Sequence, residues 1–329
     1  MLATLAAALS GLGVWALVLG QFTQTVVRSG LMALMFGMVA PSFRIAGQLS
    51  LIAFGGSLTL NRIVWFTTTQ ADIFIVGKML GPQLLGIYSV ALNLASMPMS
   101  KIMNVTNQVA YSAFSKLQGD RAAFRAGLLS TTRIMLVFSV PLLWCMAAVA
   151  PELILLLLGE KWQATIYPFQ IIAVAIPLRI FCTQMSTALI ASGNVNDDLK
   201  NTLTSAAILI PAFAVGAWTL GVIGVALAWL LAYPVYAIFM LRRISARIGV
   251  GLQDVIRVSL PVVLSGLAMW ASVWMARNSL PTLPLAIGLV ALTAVAAVAF
   301  LLTLLAIDGD ARRWVIAALR SRRLSRQRS

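Results

Sequence analysis

The chain alternates long apolar stretches with short polar segments. Most of the stretches approach the roughly 20 residues that a helix needs to cross a hydrocarbon layer of about 30 Å. The windows with this pattern are 12–40, 46–80, 83–107, 127–149, 165–190, 201–219, 221–241, 257–276 and 284–307. The pattern predicts an all-α, polytopic transmembrane helix bundle with about nine full spans.

Two windows at the beginning of the chain are harder to interpret. Residues 2–19 could form a span of their own, or residues 2–10 could be the stub of a helix that ends at Gly11. The 46–80 window is too long for one straight span, because 35 helical residues extend about 52 Å. We expect it to be broken, steeply tilted or continued outside the bilayer, with Gly55-Gly56 and residues 67–70 as candidate break points.

Composition agrees with a membrane protein. Hydrophobic residues make up 60% of the chain and charged residues 10%, whereas a soluble domain carries about 25% charged residues. Cys145 and Cys182 both lie in apolar stretches, so we interpret them as packing residues. Met1 to Leu19 lacks a basic beginning and shows no cleavable signal peptide.

The net charge of +15 is distributed as membrane topology predicts. Basic residues concentrate in alternate loops and in the tail: Arg44, Lys101, Lys116, Arg121, Arg125, Lys200, Arg242, Arg243, Arg247, Arg257 and seven arginines between Arg312 and Arg328. The intervening loops hold only Lys78, Lys161 and Arg277. This bias predicts a cytoplasmic C-terminus, with a tail that could also contact anionic membrane lipids. No folded basic domain is predicted, so nucleic acid is not an expected partner.

The residues available for chemistry point away from an enzyme. The chain has no histidine and nine acidic residues, and it offers no carboxylate pair, ligand cluster or Walker loop. We therefore predict no catalytic residue, no metal and no cofactor. A sugar polymerase or ligase would need a long outer loop, and the longest predicted loop is 108–126. Transport remains as the predicted activity.

Four arginines stand inside predicted spans. Arg28, Arg62 and Arg179 lie about 17 to 24 Å along their helices, and Arg133 lies about 9 Å along. Asp72 is the only acidic residue at a comparable position. Inserting a guanidinium at mid-membrane costs about 2.5 to 3.5 kcal/mol, so these residues indicate a polar interior lined by protein. A phosphate or pyrophosphate could neutralise their positive charge. The alternative is that backbone carbonyls and water satisfy each arginine.

Three patches of sequence carry a family resemblance. Asp72, Gly77-Lys78-Met79-Leu80-Gly81 and Gly86-Ile87-Tyr88 are similar to the signature D-x4-G-[RK]-x-L-G-x4-G-x-Y. Residues 112–120 resemble a P-A-x-S-x-L-Q motif, with Ser112 in place of the proline. Residues 158–162 with 191–193 resemble G-x-x-W and A-x-G patches. Together they resemble the bacterial polysaccharide and lipopolysaccharide flippases of the multidrug, oligosaccharidyl-lipid and polysaccharide exporter superfamily.

The resemblance implies a fold of two six-helix lobes, of which this chain would keep mainly the second. Residues 11–17 are similar to the turn between the fifth and sixth helices, which favours the stub. The implied organisation is a first-lobe remnant over 1–40, a second six-helix lobe over 41–247, two additional helices over 248–310 and a basic tail over 311–329.

The resemblance also implies a flippase of the bacterial cytoplasmic membrane. Its substrate would be a polyprenyl-pyrophosphate-linked oligosaccharide for exopolysaccharide or O-antigen synthesis, and polysaccharide polymerase or export machinery could be its partner. Arg28, Arg62 and Arg179 would hold phosphate or sugar, and Arg133 would guide entry. Asp72 would carry a coupling proton or order the structure locally. The alternatives are a multidrug or cation efflux carrier, which should carry acidic cavity residues, and a non-transporting fragment.

Overall fold

The computed structural model describes residues 5, 11, 13, 15–36, 49–116, 119–279, 284–309 and 312. The chain divides into two compact units, Met1–Ile52 and Ala53–Ser329. Most of the predicted stub and the basic tail after Arg312 lie outside the described residues.

In the first unit, Gly11 and Gly13 have positive φ angles of 79° and 51°. Ala16 N–H donates to the Gly13 carbonyl at 3.2 Å, just after helix α1 begins (Trp15–Phe36). These are the turn residues that the sequence predicted before the first full span.

The described part of the second unit is helical throughout and contains no strand. Its elements are α2 (Leu49–Leu80, which begins in the first unit), α3 (Pro82–Lys116), α4 (Arg121–Ala148), α5 (Ala150–Leu158), a 3-10 helix (Glu160–Thr165), α6 (Ile166–Ala191), α7 (Val195–Ile248), α8 (Leu252–Ser279) and α9 (Leu285–Ile307). Among the described residues, five helical segments are long and apolar enough to cross a membrane: Arg121–Ala148, Glu160–Ala191, Val195–Ile248, Leu252–Ser279 and Leu285–Ile307. The protein is therefore an all-α, multi-pass membrane protein.

Helix α7 is a hairpin rather than one rod. Gly221 has φ 60° and ψ −136°, a conformation outside the helical region. Across this bend Arg247 pairs with Asp197, and Arg243 donates to Asn201. The separate spans predicted over 201–219 and 221–241 are the two arms of this hairpin.

The two arms touch backbone to backbone near the bend. A Cβ atom on Gly216 would lie 2.4 Å from the carbonyl oxygen of Gly224, and a Cβ on Gly224 would collide with the Gly216 carbonyl. Only glycine fits at these two positions, because neither obstacle is a movable side chain.

Helix α6 is the central helix of the second unit. It packs against α3, α4 and both arms of α7. Of the apolar window in Glu160–Ala191, 67% is buried, against 17% for α9. The functional interior is therefore to be sought around α6.

Helices α8 and α9, the C-terminal pair, pack on α4 through a second apolar cluster. Val262 and Met269 of α8, with Ala296 and Phe300 of α9, are buried there. Three ion pairs link the pair to α4 and α5: Arg125–Asp254 at 2.6 Å, Arg133–Asp308 at 2.5 Å and Arg277–Glu152 at 2.8 Å.

Two expectations about helix lengths need correction. Helix α2 is continuous through Gly55-Gly56 and residues 67–70, so it is not broken there. The hydroxyls of Thr67, Thr68 and Thr69 donate to the carbonyls four residues earlier, inside the helix. The predicted 108–126 loop is also wrong, because α3 continues to Lys116 and α4 begins at Arg121.

Candidate functional site

The two ends of the α2–α3 signature meet in the structure. Gly81 turns the chain with φ +88°, and the Leu85 N–H donates to its carbonyl at 3.1 Å. This turn brings the Tyr88 hydroxyl to Asp72, where it donates to Oδ2 at 2.6 Å. The Ile73 N–H donates to the other carboxylate oxygen at 2.8 Å. Asp72 and Tyr88 are both fully buried.

An aromatic residue from the second arm of α7 extends this network. The Trp229 Nε1–H donates to the Tyr88 hydroxyl at 2.8 Å, so Tyr88 donates to Asp72 while it accepts from Trp229. The Trp229 ring lies nearly parallel to Tyr233, with 5.2 Å between their centres. Phe213 of the first arm also packs against Trp229, with 5.6 Å between the ring centres.

Arg179 of α6 completes the cluster. Its guanidinium carbon lies 4.9 Å from the centre of the Trp229 ring, within the range of a cation–π contact. It is close enough to Asp72 to act on the carboxylate through space. Among the residues that the structure describes, however, the Arg179 guanidinium donates no hydrogen bond and forms no ion pair. A half-buried guanidinium with unused donors can bind an anionic ligand.

We call Asp72, Tyr88, Trp229 and Arg179 the Arg179 cluster. It joins four helices, α2, α3, α6 and α7, in the interior of the second unit. The guanidinium donors of Arg179 suit a ligand with phosphate oxygens rather than a metal. Within the described ranges, no group of three or more Cys, Asp and Glu side chains could hold a metal ion.

A second polar cluster lies farther toward the beginning of α2. The Asn61 amide donates to Asp198 Oδ2 at 2.6 Å, and the Thr202 hydroxyl donates to the side-chain carbonyl of Asn61 at 2.6 Å. Asn61 and Asp72 are 11 residues apart, which is about three helical turns and about 16 Å. They therefore lie on one buried polar face of α2, together with Thr68.

The structure gives the predicted arginines different surroundings. Arg179 and Asp72 share the Arg179 cluster. Arg62 is exposed on α2 and acts through space on Asp198 of the second polar cluster. Arg133 donates twice to Asp308. Arg28 is exposed on α1 in the first unit. The proposed substrate roles of all four arginines, and the coupling or structural role of Asp72, stay predictions.

Sequence reasoning missed several members of these clusters. Asp198 looks like a residue at the beginning of a helix, yet it is only 2% exposed and bonds to another helix. Trp229 and Tyr88 are ordinary aromatic residues of apolar stretches until the fold brings them to Asp72. The Tyr88 end of the signature was the one available signal, since it places a hydroxyl 16 residues after a carboxylate.

Comparison with known proteins places the chain in a family. The profile described as "Polysaccharide biosynthesis protein" matches residues 1–167. The chain is 28% identical over 215 residues to "Lipopolysaccharide biosynthesis protein WzxC" of Escherichia coli (strain K12), covering 65% of this chain and 42% of that protein. It is 30% identical over 158 residues to "Succinoglycan biosynthesis transport protein ExoT" of Rhizobium meliloti (strain 1021), covering 47% of this chain and 32% of that protein.

The fold is similar to a solved structure of "Lipid II flippase MurJ, inward closed conformation". The TM-score is 0.74 at 14% sequence identity, over 94% of this chain and 66% of that one. At this identity the likeness concerns the fold alone. The chain spans less than half the length of each of the two relatives described above.

Proposed function

Because the chain belongs to the polysaccharide biosynthesis protein family, we propose that it acts in the transport of a lipid-linked oligosaccharide across the membrane. The substrate would be a polyprenyl-pyrophosphate-linked oligosaccharide, moved from the cytoplasmic to the outer leaflet. The names of its relatives, which include lipopolysaccharide biosynthesis and succinoglycan transport, support this proposal. So does the fold that it shares with a lipid II flippase.

The proposal rests mainly on Arg179, whose guanidinium has no hydrogen-bond or ion-pair partner among the described residues. A guanidinium in the interior of a membrane protein is unfavourable unless a partner neutralises its charge and accepts its hydrogen bonds. Arg179 has a ring face beside it, and in the described part of the chain no carboxylate lies within ion-pair distance. A pyrophosphate supplies oxygens that match the guanidinium bidentately. The same charge argues against cation efflux, because a cation would be repelled.

The wider setting follows from the same proposal. The protein would lie in the bacterial cytoplasmic membrane with its C-terminus in the cytoplasm, as the distribution of basic residues predicts. It would bind lipid-linked oligosaccharide and act without catalysis, beside polymerase or export machinery. Arg62 and Arg28 would contact the sugar or phosphate during transport. Arg133 would guide entry, and Asp72 would either carry a proton or order the cluster.

A deletion strain tests the function of the chain. The gene is removed from its own organism, in a background without a second exporter, and lipid-linked oligosaccharide is probed on each face of inverted and right-side-out membrane vesicles. We expect the oligosaccharide to accumulate on the cytoplasmic face and surface polysaccharide to fall. Re-expression of the chain should reverse both changes. Normal surface polysaccharide in the deletion strain would overturn the proposal, and failure of the chain alone to restore export would favour the non-transporting fragment.

Separate substitutions then test the assigned residues. Arg179→Gln should reduce export by about tenfold or more, since one charge-assisted contact is lost. Arg62→Gln is tested alone in the same way. Arg277→Gln is the matched control, because it removes a cation that Glu152 already neutralises outside the Arg179 cluster. Unchanged export by Arg179→Gln, at normal protein level, would remove Arg179 from the substrate site.

A further inference from the structure

Asp72 has two possible partners in the Arg179 cluster, the Tyr88 hydroxyl and the Arg179 guanidinium, and only the hydroxyl is bonded to it. Both charged groups are in the interior, and attraction across a medium of low polarity would draw them together. In the structure the Arg179 guanidinium instead lies over the Trp229 ring and forms no ion pair with Asp72. One Asp72 oxygen that the guanidinium could bind is bonded to another donor.

The hydrogen-bond directions identify that group. The Tyr88 hydroxyl donates its proton to Asp72 Oδ2 at 2.6 Å, a short bond to a carboxylate. Trp229 Nε1–H fixes the hydroxyl from the other side at 2.8 Å. The Asp72 carboxylate therefore has a neutral donor in Tyr88. The Trp229 ring that bonds to Tyr88 also contacts Arg179, whose guanidinium carbon lies 4.9 Å from the ring centre.

We propose that Tyr88 is a positioning residue that keeps Arg179 available for ligand by occupying Asp72, with Trp229 fixing both groups. This inference rests on the proposed function, in that the ligand would be the phosphate of the lipid-linked oligosaccharide. Tyr88 does not touch the substrate. It prevents an internal ion pair that would compete with the substrate for the same guanidinium.

The proposal predicts what happens when the hydroxyl is removed. In Tyr88→Phe the ring still fills its buried site, but Asp72 Oδ2 loses its donor. The carboxylate then keeps only the Ile73 N–H bond to Oδ1. A buried carboxylate oxygen without a donor is unfavourable, and Arg179 is the cation of the same cluster. Arg179 therefore turns to Asp72 and becomes a poorer ligand-binding group.

A cycle of substitutions measures this new ion pair directly, without a transport assay. Asp72→Asn, Arg179→Gln and their combination are compared by the melting temperature of the purified chain in lipid nanodiscs, first with Tyr88 present and then in the Tyr88→Phe background. With Tyr88 present the two shifts should add to within about 1 °C, and in the Tyr88→Phe background they should depart from additivity by about 2 °C or more. Additive shifts in both backgrounds would overturn the proposal.

Binding of inorganic pyrophosphate to the same nanodiscs, measured by titration calorimetry, gives the second readout. We expect Tyr88→Phe to weaken binding about fivefold or more, and Tyr88→Phe combined with Asp72→Asn to return it to within about twofold of Asp72→Asn alone. Loss of binding through simple damage to the fold would not be rescued in this way. Failure of the rescue therefore contradicts the proposal.

Matched controls separate this role from general packing. Tyr233→Phe removes a hydroxyl from a buried ring that also touches Trp229, and it should leave binding unchanged. If Tyr88→Phe folds poorly, Trp229→Phe removes the N–H that fixes the Tyr88 hydroxyl and should shift binding in the same direction by a smaller factor. Equal effects of Tyr233→Phe and Tyr88→Phe would contradict the proposal.

The two readouts also distinguish the positioning role from the proposed function. If the substitution cycle shows the new ion pair but the wild-type chain binds no pyrophosphate, the positioning role of Tyr88 stands and the assigned ligand is wrong. If Arg179→Gln abolishes export while the cycle is additive in both backgrounds, the function stands and the role of Tyr88 is rejected.

Discussion

The helices around α6 and the C-terminal pair both pack through apolar clusters, but their polar contacts lie in different places. Around α6, buried hydrogen bonds such as Asn61–Asp198 and Tyr88–Asp72 cross between helices. The C-terminal pair instead packs an apolar face on α4, with ion pairs at its partly exposed edges. Polar contacts inside a bundle fix the relative register of helices, because each donor has few alternative partners. The C-terminal pair can therefore tolerate changes that the helices around α6 cannot.

The most severe test of this difference uses one glycine from each region. In Gly224→Ala the new Cβ meets the Gly216 carbonyl, so the two arms of α7 must separate. We expect a loss of about 3 kcal/mol or more in stability, seen as loss of monodisperse protein in size-exclusion chromatography. Gly266→Ala is the counterpart in α8, where the Cβ meets side chains rather than backbone, the Trp144 ring at 2.5 Å and a Val140 methyl group at 2.9 Å. We expect a smaller loss there, because side chains can shift where a backbone contact cannot. Equal damage by both substitutions would contradict the comparison.

A smaller effect is expected from the second polar cluster. Asp198→Ala leaves the buried Asn61 amide without its carboxylate partner. The expected cost is about 1 to 2 kcal/mol, the range for such bonds between membrane helices. Thermal unfolding in detergent measures it. Asp198→Asn, which keeps the shape and an acceptor oxygen, should recover most of the loss, and no recovery would mean that packing rather than the hydrogen bond matters.

The link between Arg133 and Asp308 should contribute less. Arg133→Gln removes a half-buried ion pair between α4 and the residue after α9. We expect a loss of about 1 kcal/mol, measured by thermal unfolding, and partial recovery when Asp308→Asn is added. Export that falls far more than stability would show that Arg133 also serves the entry of substrate.

The smallest effect is expected at the other edge of the C-terminal pair. Arg277 and Glu152 are partly exposed, so Arg277→Gln should cost about 0.5 kcal/mol or less. The difference between wild type and variant should shrink as the salt concentration rises, because ions screen exposed charges. If Arg277→Gln lowered the free energy of unfolding by more than Asp198→Ala does, the C-terminal pair would be the more sensitive region, contrary to our expectation.

The sequence predicted the helices better than the contacts between them. Apolar length revealed the spans, including the two arms of α7 as the separate windows 201–219 and 221–241. A break was one of three possibilities for the 46–80 window. It does not occur, because two glycines cost only about 1 kcal/mol each, too little to interrupt 32 residues whose threonines bond within the helix. The predicted loop after 107 was wrong because a polar helix carries no apolar signal.

For the candidate site, depth in the membrane singled out Arg179 and Asp72, and the signature linked Asp72 to Tyr88. It could not reveal Trp229, which lies 141 residues after Tyr88 and reaches it only through the packing of α7. Nor could the sequence tell that Arg62 is exposed while Arg179 is half-buried. Both are arginines at similar depth, but the face of α2 that carries Arg62 is exposed while Asn61 beside it is buried.

The bend at Gly221 has a consequence for how the protein is made. The residues around the bend, from Thr219 to Val222, carry no charge, whereas the open ends of the arms carry Asp197, Asp198, Arg243 and Arg247. A closed, uncharged tip can pass through the bilayer at low cost, and charged ends resist passage. The two arms can therefore enter the membrane from the translocon together, already paired through Gly216 and Gly224, rather than one after the other.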